Sequence, residues 1–301
     1  MTAEQGIGRN VLSTEDSVHQ ILPVSKYTSV KQLIYGQIED ALSTYTYRQK
    51  WVCRFKENIP LSQGRDDNEI LYITGLALKL GKSENLRSPE VAEALFSHLS
   101  VSGGDVFWVK IVPPGWIHLQ IKDVFLAEWL QHLLRGGLKQ QVSSRGQQSW
   151  EAQKLLPVDN GFFPMQYVYA RCCALVRLSV NEGIITPQNL KDGLLCLDLP
   201  WLDSQGTLRI RHPAEFSLLS QLVQTVDYLR FSHTPEFTKW EKTGMAIIPV
   251  FDAFWRQCRI FEVKSTAPQL ALARLGLVMV TQVVLRCLLE EKLGILALEE
   301  L

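Results

Sequence analysis

Phe163-Pro164-Met165-Gln166-Tyr167-Val168-Tyr169-Ala170-Arg171-Cys172-Cys173-Ala174-Leu175 decides what kind of structure the second half of this chain adopts. The stretch belongs to a candidate helix over 162–181. Tyr167 and Arg171 stand four residues apart and so share one helical face. Cys172 and Cys173 sit beside apolar neighbours and read as core. An aromatic ring can stack on a nucleobase, and a guanidinium can donate to base or phosphate oxygens, so this face is a candidate binding surface. A core tyrosine with an arginine snorkelling to solvent is the competing reading. Further helical periods cover 213–231, 236–260 and 268–293, separated by a long polar connection from Pro187 to Gly206. Residues 155–301 are therefore expected to form an all-α bundle.

Upstream the pattern is mixed. Residues 1–28 show no sustained period and read as a flexible leader. Ser29 can cap a helix running to about Leu42, with Val30, Leu33, Ile34, Ile38 and Leu42 on its apolar face. Trp51, Cys53 and Phe55 alternate with polar residues as in a strand. Gly64 to Asn68 reads as a turn and Glu69 to Leu80 as a helix. Ser88-Pro89-Glu90 opens another helix, which Gly103-Gly104 ends. Phe107, Val109 and Val112, then Ile117, Leu119 and Ile121, read as two strands around the Pro113-Pro114-Gly115 turn; Val124 to Leu134 closes the segment as a helix. Residues 29–135 thus make an α+β module. Gly136 to Gln148 carries three Gly, four Gln and two Ser, which marks a linker over 136–154 and predicts two separable units.

Composition narrows the function. The 301 residues are 46% hydrophobic and 21% charged, an ordinary globular balance. Lys+Arg and Asp+Glu are 31 each, so the net charge is zero. A non-specific polyanion binder needs a surplus of cations and is excluded, which leaves nucleic-acid contact to specific constellations. The most apolar stretch, Leu270 to Leu289, carries Arg274, Gln282 and Arg286 and reads as too polar to span a membrane. The first ten residues have no basic-then-apolar signal pattern. No C-x-x-C occurs among the six cysteines and no two histidines lie three to five apart, so neither a metal site nor a disulfide framework is expected. Free thiols of this kind fit a cytoplasmic protein. Phosphate-binding loop, dinucleotide fingerprint, nucleophile elbow and H-E-x-x-H motifs are all missing, and no cofactor is expected.

The quoted stretch resembles the first helix of the DALR anticodon-binding domain of arginyl-tRNA synthetases, which typically reads F-x-x-Q-Y-A-H-A-R-I-x-S-I. Phe254-Trp255-Arg256-Gln257-Cys258-Arg259-Ile260 is similar to that family's F-Y-x-x-C-R-V. Ala273-Arg274-Leu275, Gly294-Ile295 and the terminal Leu301 resemble its A-R-L and its ending G-I-x-A-P-E-R-M. In the first half, Pro114-Gly115-Trp116-Ile117-His118-Leu119 resembles the P-G-F-I-N-F signature of the same enzymes' N-terminal additional domain. The synthetase places a Rossmann-type catalytic domain between these two parts. Here fewer than thirty residues separate Leu134 from Phe162, about half of what a domain needs, and no H-x-G-H or K-M-S-K-S-like loop occurs.

The resemblance implies an arginyl-tRNA synthetase-like protein without the catalytic domain, hence no enzyme and no catalytic residue. It implies anticodon binding by Tyr167, Arg171, Trp255 and Leu301, and tRNA D-loop binding by Trp116 and His118. The expected function is non-catalytic binding of an arginine-type tRNA, with a tRNA-modifying or other protein as a further partner and neither DNA nor membrane. The alternative is a protein-interaction or assembly factor that reuses the scaffold without RNA.

Overall fold

Ile117, Leu119 and Ile121 alternate with Trp116, His118 and Gln120 because one side of their strand is buried and the other faces water. The computed structural model describes residues 28–48, 59–66, 68–138, 160–191, 194–231 and 237–301. The expected leader, the strand at Trp51 to Phe55 and most of the linker lie outside these residues.

The strand carrying the PGWIHL motif, β4 (Trp116–Ile121), is central in a four-stranded antiparallel sheet. β1 (Leu61–Gln63) pairs with β2 (Leu71–Thr74), β2 with β4, and β4 with β3 (Phe107–Val112). Two glycines make this hairpin possible. Gly115, in the turn after the cis Pro113-Pro114 bond, has φ 148°, which favours glycine. A side chain at Gly75 would press against the Trp116 ring at 2.9 Å, so glycine leaves room for that ring. The helix expected over 69–80 is instead the strand β2, then Gly75, then α2 (Leu76–Glu84). Leu-Tyr-Ile-Thr favours the pleat, with Tyr72 and Thr74 pointing inward, and burial against the sheet decides the conformation.

Helices α1 (Val30–Arg48), α3 (Ser88–Ser102) and α4 (Asp123–His132) accompany the sheet. Ser29 caps α1 as expected: its Oγ accepts from the Gln32 N–H at 3.0 Å. The helix runs past the expected Leu42 to Arg48.

The second half is mainly helical: α5 (Phe163–Asn181), α6 (Pro213–Arg230), α7 (Phe237–Met245), α8 (Ile247–Gln257) and α9 (Pro268–Arg286). The connection after α5 adds a short hairpin, β5 (Leu190–Lys191) with β6 (Leu194–Leu195), so this half is not helix alone. The helix expected over 236–260 divides at Ala246, because Pro249 has no N–H to give the Met245 carbonyl. With the turn that follows it, α9 is long and apolar enough to cross a membrane, but 78% of its most apolar window is buried inside the protein, as in a core helix. Cys172, Cys173 and Cys258 are buried, as are Trp129, Trp201 and Trp240.

The two halves share one hydrophobic core and a set of buried polar contacts. Asp227, on α6, reaches into the first half. Its Oδ1 accepts from Ser29 Oγ at 2.8 Å and from the Lys31 N–H at 2.9 Å, while the Tyr72 hydroxyl donates to Oδ2. Gln131, on α4, donates to the Leu197 carbonyl at 3.0 Å and accepts from the Leu199 N–H at 3.1 Å and from Trp201 Nε1 at 3.2 Å. Asp123 accepts from the Leu208 N–H at 2.9 Å. The two halves are closely coupled through these contacts.

Candidate functional site

Helix α5 begins at Phe163 with Pro164 in its first turn, and its 100° step per residue sorts its side chains. Met165, Val168, Tyr169, Cys172 and Cys173 go to the core; Phe163, Tyr167 and Arg171 stay on the outer face. Phe163 and Tyr167 are about half exposed, at 50% and 46%, with ring centroids 6.4 Å apart and planes 28° from parallel. Arg171 donates from Nη1 to the Tyr167 hydroxyl at 3.1 Å, and its Cζ lies 4.7 Å from the centroid of the Trp255 ring. Trp255 projects from α8 and is partly buried against the core. The structure thus brings Tyr167, Arg171 and Trp255 together as a guanidinium between two aromatic groups. Among the described residues, no carboxylate pairs with Arg171.

Among the described residues, no hydrogen bond or ion pair joins Leu301 to this cluster. The chain end runs along a different face of α5, where fully buried Gln166 donates to the Leu296 carbonyl at 2.5 Å and accepts from the Leu298 N–H at 3.1 Å. Arg177 then donates to the Glu299 carbonyl at 3.3 Å and pairs with the Glu300 carboxylate at 3.4 Å. Arg177 is ten residues beyond Tyr167, about 15 Å of helix rise. Leu301 follows these acids and is 59% exposed.

Trp116 and His118 share the open face of β4, and the register places Lys110 of β3 opposite His118 and Trp108 opposite Gln120. Trp108 is 61% exposed, and Lys122 Nζ sits 3.8 Å from its ring centroid. Two tryptophans, Lys110, Lys122 and His118 therefore occupy one side of the β3–β4 hairpin, and no acid lies on that side of either strand. Partial burial, and secondarily the charge of Lys110, lower the His118 pKa below the usual histidine range. The lowered pKa favours the uncharged imidazole, which has one donor and one acceptor. Lys122 also donates to the Gly104 carbonyl; partly exposed aromatic rings beside amines on a sheet face can stack unpaired bases and meet their phosphates.

Trp108, Lys110 and Lys122 were not among the residues expected from sequence. For Trp108 and Lys110 the signal was available: they alternate with the apolar positions of β3. The other motif residues are structural. Arg274, of Ala273-Arg274-Leu275, donates to Glu215 at 2.5 Å and to the Arg259 carbonyl at 2.7 Å, tying α9 to α6 and to the loop after α8. Glu215 in turn accepts from the His212 N–H at 2.9 Å.

The chain is similar to the arginine–tRNA ligase of Acetivibrio thermocellus, 28% identical over 133 residues. The match covers 44% of this chain and 21% of the ligase, so the chain spans about a fifth of the length of that relative. No protein-family model matches, and no solved structure matches. The similarity makes the chain a distant, partial homologue of the ligase.

Proposed function

We propose that this chain binds a tRNA of the arginine type without aminoacylating it. The anticodon lies on the Tyr167–Arg171–Trp255 cluster and the D-loop on the β3–β4 face around Trp116 and His118. The helical half is then of the DALR type and the first half corresponds to the synthetase's N-terminal additional domain. The observation that carries the reading is Arg171 itself, a cation held between two partly exposed aromatic groups with no carboxylate partner among the described residues. Such a cluster offers stacking planes and N–H donors to an unpaired base and its phosphate. The similarity to a protein named for arginine and tRNA supplies the class of ligand. The sequence motifs for nucleotide hydrolysis are missing, so neither ATP turnover nor arginylation is expected. The bound tRNA is presented to a further protein, such as a tRNA-modifying enzyme, in the cytoplasm.

The test pairs tRNA affinity at fixed salt with thermal unfolding for Tyr167→Ala, Arg171→Ala and Trp255→Ala. Stacking contributes roughly 1–3 kcal/mol per base, about five- to 150-fold in affinity. Weakened binding with an unchanged melting temperature supports the reading. Lower melting temperatures for Tyr167→Ala and Trp255→Ala, with Arg171→Ala silent in both assays, refute it. One observation favours the alternative of an interaction or assembly factor without RNA. Leu301, expected to complete the anticodon pocket, follows the acids that hold Arg177, well along α5 from Tyr167.

A further inference from the structure

The four strands of the sheet contain no acidic residue, and Lys110 is the one lysine or arginine in them. On the open face the antiparallel register sets three rungs in a row: Val112 opposite Trp116, Lys110 opposite His118, and Trp108 opposite Gln120. We infer that Trp108 is a second stacking position on this face, which takes a further unpaired base of the D-loop whose first base meets Trp116 and His118. The inference rests on the tRNA reading just proposed and adds to it a second base contact at a defined spacing.

Three observations carry it. First, Trp108 is the most exposed tryptophan among the described residues, at 61%, and β3 is the edge strand of the sheet, so no further strand covers the ring. An indole left in water on a regular strand has apolar surface for a ligand to bury. Second, each ring is supported by the protein yet keeps much of its surface open. Lys122 Nζ lies 3.8 Å from the Trp108 ring centroid and donates to the Gly104 carbonyl, so the indole rests against a cation that is itself held in place. Trp116 is backed by Gly75, where a Cβ would stand 2.9 Å from the ring, and remains 41% exposed. Third, the two rings stand four residues apart along the hairpin, with the Lys110–His118 rung midway between them. At the rise of an antiparallel strand that is about 14 Å.

That spacing selects the ligand. Bases stacked on one another follow at about 3.4 Å, so neighbours in a continuous stack do not reach both rings. A single strand with its bases splayed apart does: one base lies on each indole, and the backbone between them passes Lys110, whose ammonium meets a phosphate. No carboxylate on the strands opposes that phosphate. A protein partner calls for a continuous apolar patch, whereas here an amine and an imidazole interrupt the two indoles. Sequence reading reached Trp116 and His118 through their motif and missed Trp108, because only the strand pairing puts it on the same face.

Trp108→Thr removes the ring and keeps a β-branched residue suited to a strand; Trp108→Phe keeps a ring. Both variants, together with Trp116→Thr, Tyr167→Ala and the unaltered protein, are titrated at fixed salt with an arginine-type tRNA transcript. The titrations are repeated with transcripts carrying one abasic residue at successive D-loop positions, and melting temperatures serve as the folding control. Trp108→Thr is expected to weaken tRNA binding about five- to 150-fold, the contribution of one stacked base, with Trp108→Phe recovering most of the loss. With the unaltered protein, two D-loop positions lower the affinity when made abasic; one of them loses its effect in Trp108→Thr and the other in Trp116→Thr. This comparison is a ratio within each variant, so it reads the contact even where a substitution lowers the melting temperature. The inference is overturned if Trp108→Thr binds tRNA as tightly as the unaltered protein, or binds more weakly while every abasic position keeps its full effect. If Trp116→Thr or Tyr167→Ala weakens binding and Trp108→Thr does not, the second stacking position fails alone. If no variant weakens binding, the tRNA reading fails with it.

Discussion

Asp227 is a fully buried carboxylate whose partners come from the other half of the chain. Burial pushes its pKa up to about 6, even though Tyr72, the Lys31 N–H and Ser29 all stabilise its charge. The unfolded value is about 4, so the folded state holds the proton more tightly. The sign follows from linkage: this contribution to stability is full below about pH 4 and is lost as the pH rises through about 6. A shift of about two units corresponds to roughly 3 kcal/mol. Asp227→Asn keeps an acceptor for Ser29 and Lys31 and places an N–H donor at Tyr72, without the charge. The variant is expected to be at least as stable as the parent at pH 7.5 and to lack this part of the decline between pH 4.5 and pH 7.5. Melting temperatures of both proteins across that range measure the difference; parallel curves contradict the assignment. The Tyr167–Arg171 pair was legible in the sequence because a spacing of four fixes a shared helical face. Asp227 was not, because nothing local marks an α6 residue as the acceptor for the start of α1.

Helix boundaries set by local chemistry could be read from the chain: the Ser29 cap and the Gly103-Gly104 stop appear in the structure, while the helix at Ser88-Pro89 starts one residue earlier than a capping Ser88 would set it, with Arg87 as the N-cap and no side-chain cap bond. β2 was misread because Leu71–Thr74 is too short to show a period and only its sheet neighbours make it a strand. The open face of the β3–β4 hairpin was half legible, since the apolar residues of β3 mark the strand while Trp108 and Lys110 between them carry no motif. If Lys110 meets a phosphate, Lys110→Ala should weaken tRNA binding and lower the slope of log affinity against log salt by about 1. An unchanged slope removes Lys110 from the interface. The role of Arg274 is different. It is 11% exposed and paired with Glu215 at 1%, and removal of one partner of a buried pair costs about 3–5 kcal/mol. Arg274→Ala is expected to lower the unfolding midpoint severely; a near-neutral effect in denaturant titration contradicts the bridging role.

At the scale of the whole molecule, the sequence suggested two units on a Gly/Gln-rich tether, and the structure adds a shared core with Asp227, Gln131 and Asp123 reaching between them. Contacts so distant in sequence leave no periodic trace, which is why the coupling of the halves was invisible beforehand. Unfolding should therefore be a single cooperative transition seen alike by near-ultraviolet and far-ultraviolet dichroism. Two resolved transitions would mean that the halves are thermodynamically independent.

The sheet face and the α5 cluster belong to different halves, and the proposed function has one tRNA held at both places. The most direct measurement is ultraviolet cross-linking of the tagged chain in its native cell, with sequencing of the joined RNA and mass-spectrometric identification of the joined peptides. The expected result is enriched arginine-type tRNA, cross-linked to peptides containing Tyr167 or Trp255 and to the segment from Trp108 to Lys122. Recovery of a protein complex free of RNA, or of tRNA joined only to peptides outside both faces, would contradict tRNA binding by these residues.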